Sequence, residues 1–177
     1  LVGSEMCIRD SVSTLQGLGE SMTQRGYEVI NRLRSFKTVP ANAQVAARLQ
    51  VAEGENVVQI KRARLVNREL VSLEITWLPE AVGKRLEKAD LVSRDIFLIL
   101  ENDCALPLGH ADLAIDAILA DAELARALEV EEGSPVMRIE RLTHTADGAP
   151  LDYEHLYYRG DAFQYRLRID RHKGQHQ

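Results

Sequence analysis

Residues Ala41–Arg62 read ANAQVAARLQVAEGENVVQIKR, and residues Ala120–Arg141 read ADAELARALEVEEGSPVMRIER. At this offset of 79 residues, ten of the 22 aligned positions are identical: Ala41/Ala120, Ala43/Ala122, Ala46/Ala125, Leu49/Leu128, Val51/Val130, Glu53/Glu132, Gly54/Gly133, Val57/Val136, Ile60/Ile139 and Arg62/Arg141. The period is too long for a solenoid and occurs only twice, so it reads as a duplicated supersecondary unit. Each unit is predicted as strand–helix–strand–strand. In the first, a strand over residues 31–39 ends at Pro40. Asn42 then caps a short Ala-rich helix running to Gln50, and Gly54 closes the following turn. NVVQIKRARLV and LVSLEITWL form a hairpin around Asn67-Arg68-Glu69. In the second unit HADLAIDAIL is the strand, Asp121 the cap and Gly133 the turn glycine. PVMRIERLTHT and PLDYEHLYY form the hairpin, and Asp147-Gly148 between them is a strong turn signal.

Outward from the repeat, two helices are predicted between the units, over Glu80–Glu87 and Arg94–Asn102. A helix near Thr14–Arg25 precedes everything and FQYRLRI is a final strand. Hairpin-linked strands dominate, so the predicted fold class is α+β: an antiparallel sheet with flanking helices, built from two pseudo-repeated strand–helix–strand–strand units. No parallel βαβ run and no G-x-G-x-x-G is found, which argues against a dinucleotide-binding domain.

The chain has 177 residues, 45% of them hydrophobic and 28% charged, as expected of one globular domain with a real core. Net charge is −5 and the pI about 5.6, with basic residues clustered only in YRLRIDRHK, so strong nucleic-acid binding by this chain is not expected. Cys7 and Cys104 are far apart, which argues against a disulfide or a metal site and fits a reducing cytoplasm. No apolar run is long enough to span a membrane. The opening LVGSEMCIRDS lacks signal-peptide character. Residues 1–12 are set aside as a non-native or disordered leader, and residues 173–177 as a tail.

Strand alternation selects the candidate chemistry. Val58, Ile60, Arg62, Arg64 and Val66 share one face; on the next strand Leu70, Ser72, Glu74, Thr76 and Leu78 do. A three-residue hairpin loop sets Arg64 opposite Ser72 and Arg62 opposite Glu74, a cross-strand ion pair. Asp152, Glu154, Leu156 and Tyr158 share a face in the second hairpin. From the residues alone, a charged sheet face and a ligand site are both open. His110, His144 and His155 form no metal-ligand spacing, no serine has a G-x-S-x-G context, and Trp77, on the face opposite Glu74, is assigned to the core.

RGYEVINRL, ARLQVAEGENVVQIKRARLVNRELVSLEITWLP, ADLVSRDIFLILEND and EGSPVMRIERLTHTADGAPLDYEHLYYRGDAF, in this order and spacing, resemble the UTRA domain, the effector-binding module of HutC-subfamily GntR transcription regulators. The resemblance runs from about Leu15 to Asp170. It implies a chorismate-lyase-like fold, a homodimer, and an N-terminal winged-helix domain, missing from this chain, through which alone DNA is bound. Residues 13–30 then form a helix following the linker and 31–172 the effector-binding domain. No cofactor, metal or membrane partner is implied. The effector contacts implied are Asn31, Arg32, Arg62, Arg64, Glu74, Asp95, Phe97, Asp152 and Tyr158. Two of these depart from members that bind phosphorylated amino sugars: Asp95 replaces a helix-start serine and Asn31 a loop serine. A carboxylate repels phosphate where a hydroxyl would donate to it, so a non-phosphorylated effector is expected. The function implied is small-molecule sensing; the alternative is an enzyme of chorismate-lyase-like fold acting on a small carboxylate.

Overall fold

The computed structural model describes residues 8–11 and 15–166. Its centre is a six-stranded antiparallel sheet. β2 (Val29–Pro40), β3 (Asn56–Val66) and β4 (Glu69–Pro79) form one half, and β5 (Leu108–Leu119), β6 (Pro135–Thr145) and β7 (Pro150–Arg159) the other. The order β2-β3-β4-β7-β6-β5 makes β4 and β7 the seam and puts the first strand of each unit at an edge. Both repeat units therefore lie in one sheet, as mirrored positions about the seam. Beside it, β1 (Ile8–Ser11), part of the segment set aside as leader, pairs in parallel with β8 (Phe163–Arg166). The rest of that leader, the end of FQYRLRI and the tail lie outside the described residues.

The duplication extends to the caps. α2 (Ala43–Leu49) starts with the Asn42 side chain accepting from the Val45 N–H at 2.9 Å; α5 (Ala122–Leu128) starts with Asp121 accepting from Leu124 at 2.8 Å. Both helices stop at a left-handed residue, Gln50 and Glu129, each with φ of 55°. Gly54 and Gly133, both at φ 82°, then return the chain toward the sheet, a conformation that glycine adopts without a Cβ penalty. Their N–H groups donate to the carbonyls of Ala41 and Ala120.

The hairpins differ. The four-residue loop Ala146–Ala149 has the predicted length. The first loop is shorter than predicted: Asn67 and Arg68 alone turn the chain, both at positive φ, and a bulge between Arg64 and Leu65 absorbs the missing residue. The bulge preserves the expected pairs Arg62–Glu74 and Arg64–Ser72. The helix expected over Glu80–Glu87 is split into α3 (Glu80–Gly83) and a 3-10 turn (Lys84–Leu86).

Period-2 alternation sorts the core. On the outer face Val45, Ala46 and Leu49 of α2 pack on Val57, Trp77 and Tyr153, while Ala125 and Leu128 of α5 pack on Val136. On the inner face Leu86 and α4 (Ile96–Asn102) cover Val58, Ile60 and Leu78. Leu18 and Met22 of α1 (Leu18–Gln24) cover Ile139, Leu156 and Tyr158 there. Among the described residues no helix is long and apolar enough to cross a membrane.

Candidate functional site

The inner face carries a row of buried charge. Arg62, Arg64 and Glu74 are each 1% exposed. Arg62 donates from Nε (2.8 Å) and Nη2 (2.5 Å) to Glu74 Oε1, and from Nη1 to the carbonyls of Arg94 (3.1 Å) and Leu91 (3.3 Å). Arg64 donates to Glu74 Oε2 at 2.6 Å, to Asn31 Oδ1 at 3.1 Å, and to Asp95 Oδ1. Every guanidinium nitrogen of both arginines thus has an internal acceptor. Such closure is required here, because an uncompensated buried charge is very costly. Burial by itself would raise the Glu74 carboxyl, but the two guanidiniums hold it down to about 2. Burial disfavours the Arg64 charge, yet Glu74 and Asp95 more than offset this and keep it a cation.

Asp95 is the N-cap of α4, and its side chain caps nothing in its own helix. It is turned instead between Arg64 and the start of α1, where the Glu20 N–H donates to its Oδ2 at 2.6 Å. Gly17 and Gly19 allow this approach: a Cβ on either would lie 2.6 or 2.7 Å from that oxygen. Asn31 completes the corner, accepting from Arg64 and donating to the Val92 carbonyl at 3.1 Å. Above them opens a cleft of about 390 Å³ between α1, β2 and the Ser93–Asp95 turn, with Asn31, Glu20, Thr23, Arg94 and Asp95 among its lining residues. Burial and the nearby Asp95 charge raise the Glu20 carboxyl.

A second ion pair matches the first across the seam. Arg141, equivalent to Arg62 in the repeat, donates from Nε to Glu154 Oε2 at 2.5 Å, and both are buried. The Arg141 guanidinium also lies 4.6 Å from the centre of the Phe97 ring, a cation–π contact. Thr76 bridges the pairs, its hydroxyl 3.4 Å from both Glu74 Oε1 and Glu154 Oε1. Next along the row Asp152 is fully buried, and neither of its carboxyl oxygens has a hydrogen-bond partner; the facing Thr143 hydroxyl has none either. Burial and the Glu154 charge raise Asp152 well above the ordinary carboxylate range.

Of the residues singled out in the sequence, Asn31, Arg62, Arg64, Glu74 and Asp95 form one bonded network, and only Asn31 and Asp95 of the set reach the cleft. Phe97 joins through Arg141. Asp152 and Tyr158 share the inner face but are six residues apart along β7, roughly 20 Å at about 3.3 Å per residue. Tyr158 stacks on Phe163 with centroids 4.1 Å apart, in the cluster under α1. Arg32 is not brought to the group: Asn31 takes the inward position on β2, so alternation turns Arg32 outward, where it is exposed. Thr76 and Glu154 were placed on the charged faces, but with Arg141 and the Gly17–Glu20 segment they were not among the candidate contacts. The identity of Arg62 and Arg141 in the repeat was a signal for the second pair.

Residues 24–164 match the model of the UTRA domain. The chain belongs to the UTRA domain family. This UTRA domain is 27% identical over 160 residues to the HTH-type transcriptional repressor NagR of Bacillus subtilis, covering 89% of the chain and 65% of the relative. It is 20% identical to the mannosyl-D-glycerate transport/metabolism system repressor MngR of Escherichia coli, covering 86% of the chain and 63% of MngR. The chain thus spans under two thirds of the length of these regulators. The effector domain of PhnF from Mycobacterium smegmatis superposes with a TM-score of 0.86 at 21% identity, covering 93% of this chain and all of that one. The α+β, chorismate-lyase-like fold and the sensor reading expected from the sequence agree with these matches, and the relatives are named as transcription regulators.

Proposed function

We propose that this UTRA domain senses a non-phosphorylated small molecule, bound in the cleft between α1 and the Ser93–Asp95 turn, on behalf of a larger HutC-subfamily regulator. The effector contacts in this reading are Asn31 and Asp95 in the cleft, with Arg62, Arg64 and Glu74 holding them from below. Arg32 is not among them. Phe97 and Asp152 act at a distance through the buried row, and Tyr158 through the cluster under α1.

One observation carries the effector class. Asp95 already fills the anion position: its carboxylate takes the Arg64 guanidinium and the Glu20 N–H, the donors a phosphate would need. A dianion entering the cleft meets Asp95 and Glu20, while Arg64 is already engaged by Asp95 and the lining Arg94 is paired with Asp103. An ammonium or hydroxyl group meets acceptors there instead. An effector that pulls on Asp95 also pulls on α1, which leads toward the N-terminus. Differential affinity for the two positions of α1 would supply the coupling that regulation requires. In this reading DNA is bound only by another domain of the regulator. The domain works in the cytoplasm and is not a catalyst, and two copies form a homodimer. Exposed Ile30, Leu33, Ile115 and Leu119 on the two edge strands support self-association.

Calorimetric titration with glucose 6-phosphate and inorganic phosphate, against glucosamine and a panel of amino acids and amines, tests the class. The expected result is no micromolar phosphate binding in the wild type and a marked gain of phosphate affinity in Asp95→Ser. Micromolar binding of the sugar phosphate, unchanged or weakened in Asp95→Ser, would overturn the charge argument.

A further inference from the structure

At the far end of the β5–β6 pair, on the outer face, three side chains gather that the sensing cleft does not use. His110 and Asp112 are two residues apart on edge strand β5 and so share a face, and His144 stands beside them on β6. One ligand atom from each lies within 4.8 Å of the others. The two imidazoles stack with centroids 4.4 Å apart and planes 8° from parallel. His144 Nδ1 lies 4.0 Å from Asp112 Oδ2, and it is buried without a hydrogen-bond partner. A buried ring nitrogen left unsatisfied costs free energy, and native proteins rarely leave one without a reason. This one faces an anion and a second imidazole.

We propose that His110, Asp112 and His144 bind a divalent transition-metal ion through two imidazole nitrogens and one carboxylate oxygen. Imidazole with carboxylate is a donor set for Zn²⁺, Ni²⁺ or Cu²⁺; Ca²⁺ and Mg²⁺ prefer all-oxygen sites. Donors 2.0–2.2 Å from a shared ion stand about 3–3.5 Å from each other, so the group closes by shifts on the order of 1 Å. One ring must also turn, because in-plane lone pairs of parallel rings do not converge. His110 is the ring free to do so. It is exposed, and it lies where β5 breaks register between Leu108 and Ala111. His144, mostly buried, stays as the anchor. Water fills the remaining coordination positions. The bound ion ties the edge strand to its neighbour, so it also stabilises the sheet at the end opposite α5.

The sequence hid this site because its ligands are neighbours only in the fold: His110 and Asp112 form a single i, i+2 pair, and His144 arrives through strand pairing. The test uses the full chain, stripped with a chelator, titrated with Zn²⁺ by calorimetry and with Co²⁺ by visible absorption. One equivalent is expected at this site, with a rise in the thermal midpoint. His144→Ala and His110→Ala each weaken that equivalent more than about a hundredfold, beyond what loss of a supporting contact does. His110→Ala, at an exposed position, keeps the fold intact, so its result does not depend on folding. A His172→Ala/His176→Ala chain, altered outside the described residues, retains the equivalent. No ion uptake by the wild type, or uptake unchanged in His110→Ala and lost in the tail variant, would overturn the proposal. Neither outcome bears on the effector cleft.

Discussion

The two halves of the sheet share a backbone and differ in one rung of chemistry. Each half places an arginine opposite a glutamate on the inner face, Arg62–Glu74 and Arg141–Glu154. At the next rung the first half has Arg64 opposite Ser72, and the second has Thr143 opposite Asp152. The first half thus carries an extra cation, balanced by Asp95 from α4. The second carries an extra carboxylate, Asp152, with no hydrogen-bond partner. Duplication fixed the scaffold and one ion pair; the divergent rung decides which half carries the cleft and which holds a proton.

The largest test of this contrast removes the carboxylate on each side. Glu74→Gln leaves both Arg62 and Arg64 short of an anion and is expected to cost about 3–5 kcal/mol in urea unfolding. Glu154→Gln strands one guanidinium that still has the Phe97 ring, and is expected to cost clearly less. Equal costs would mean that the extra arginine of the first half adds no dependence on its carboxylate.

A smaller effect follows from the closeness of α1. Gly19→Ala puts a Cβ 2.7 Å from Asp95 Oδ2, and the shift it forces is expected to cost about 1–3 kcal/mol. Combining it with Asp95→Ala should recover part of that loss. Additive losses in this double-mutant cycle would show that the helix start and Asp95 are not coupled.

The caps probe what the halves have in common. Asn42→Ala and Asp121→Ala are each expected to cost about 1 kcal/mol, and to match one another, because both lose the same side-chain bond to the N3 amide. A clear difference would locate divergence in the scaffold as well as in the rung.

The smallest effect near pH 4 is that of Asp152→Asn, and it grows with pH. Burial raises the Asp152 carboxyl in the folded state, so the fold keeps a proton that the unfolded chain releases above the ordinary carboxylate range. Stability is therefore lost as pH rises from there toward the raised folded value. The amide has no proton to release, so the variant should gain on the wild type as pH rises from 5 to 8. A pH-independent difference between the two would show that Asp152 is ionised in the fold.

Much of this was legible in the residues. The repeat located the strands to within two residues, and the glycine and cap positions were exact, because local backbone preferences govern them. The Arg62–Glu74 register survived a wrong loop length, since the bulge at Arg64 compensated for it. The site was less legible. Asp95 lines the cleft, as its place among the candidate contacts expects, but no local pattern could say that a glycine-flanked helix start 75 residues upstream would also donate to it. Arg32 looked equivalent to Asn31 until the strand's phase was known. The pairing of His110 with His144 depends on an edge-strand irregularity that periodicity does not report.

The position of the seam has a consequence for how the sheet avoids growing. Either unit alone would end in a bare strand, β4 or β7, with its amides and carbonyls open to any passing chain. Joining the units turns those two strands into the middle of the sheet. The strands left outside are β2 and β5, and each is broken by an irregularity, between Leu33 and Ser35 in one and between Leu108 and Ala111 in the other. A kinked rim is a poor template for further strand addition. Tandem fusion thus places the irregular strands at the rim and pairs the regular ones at the centre.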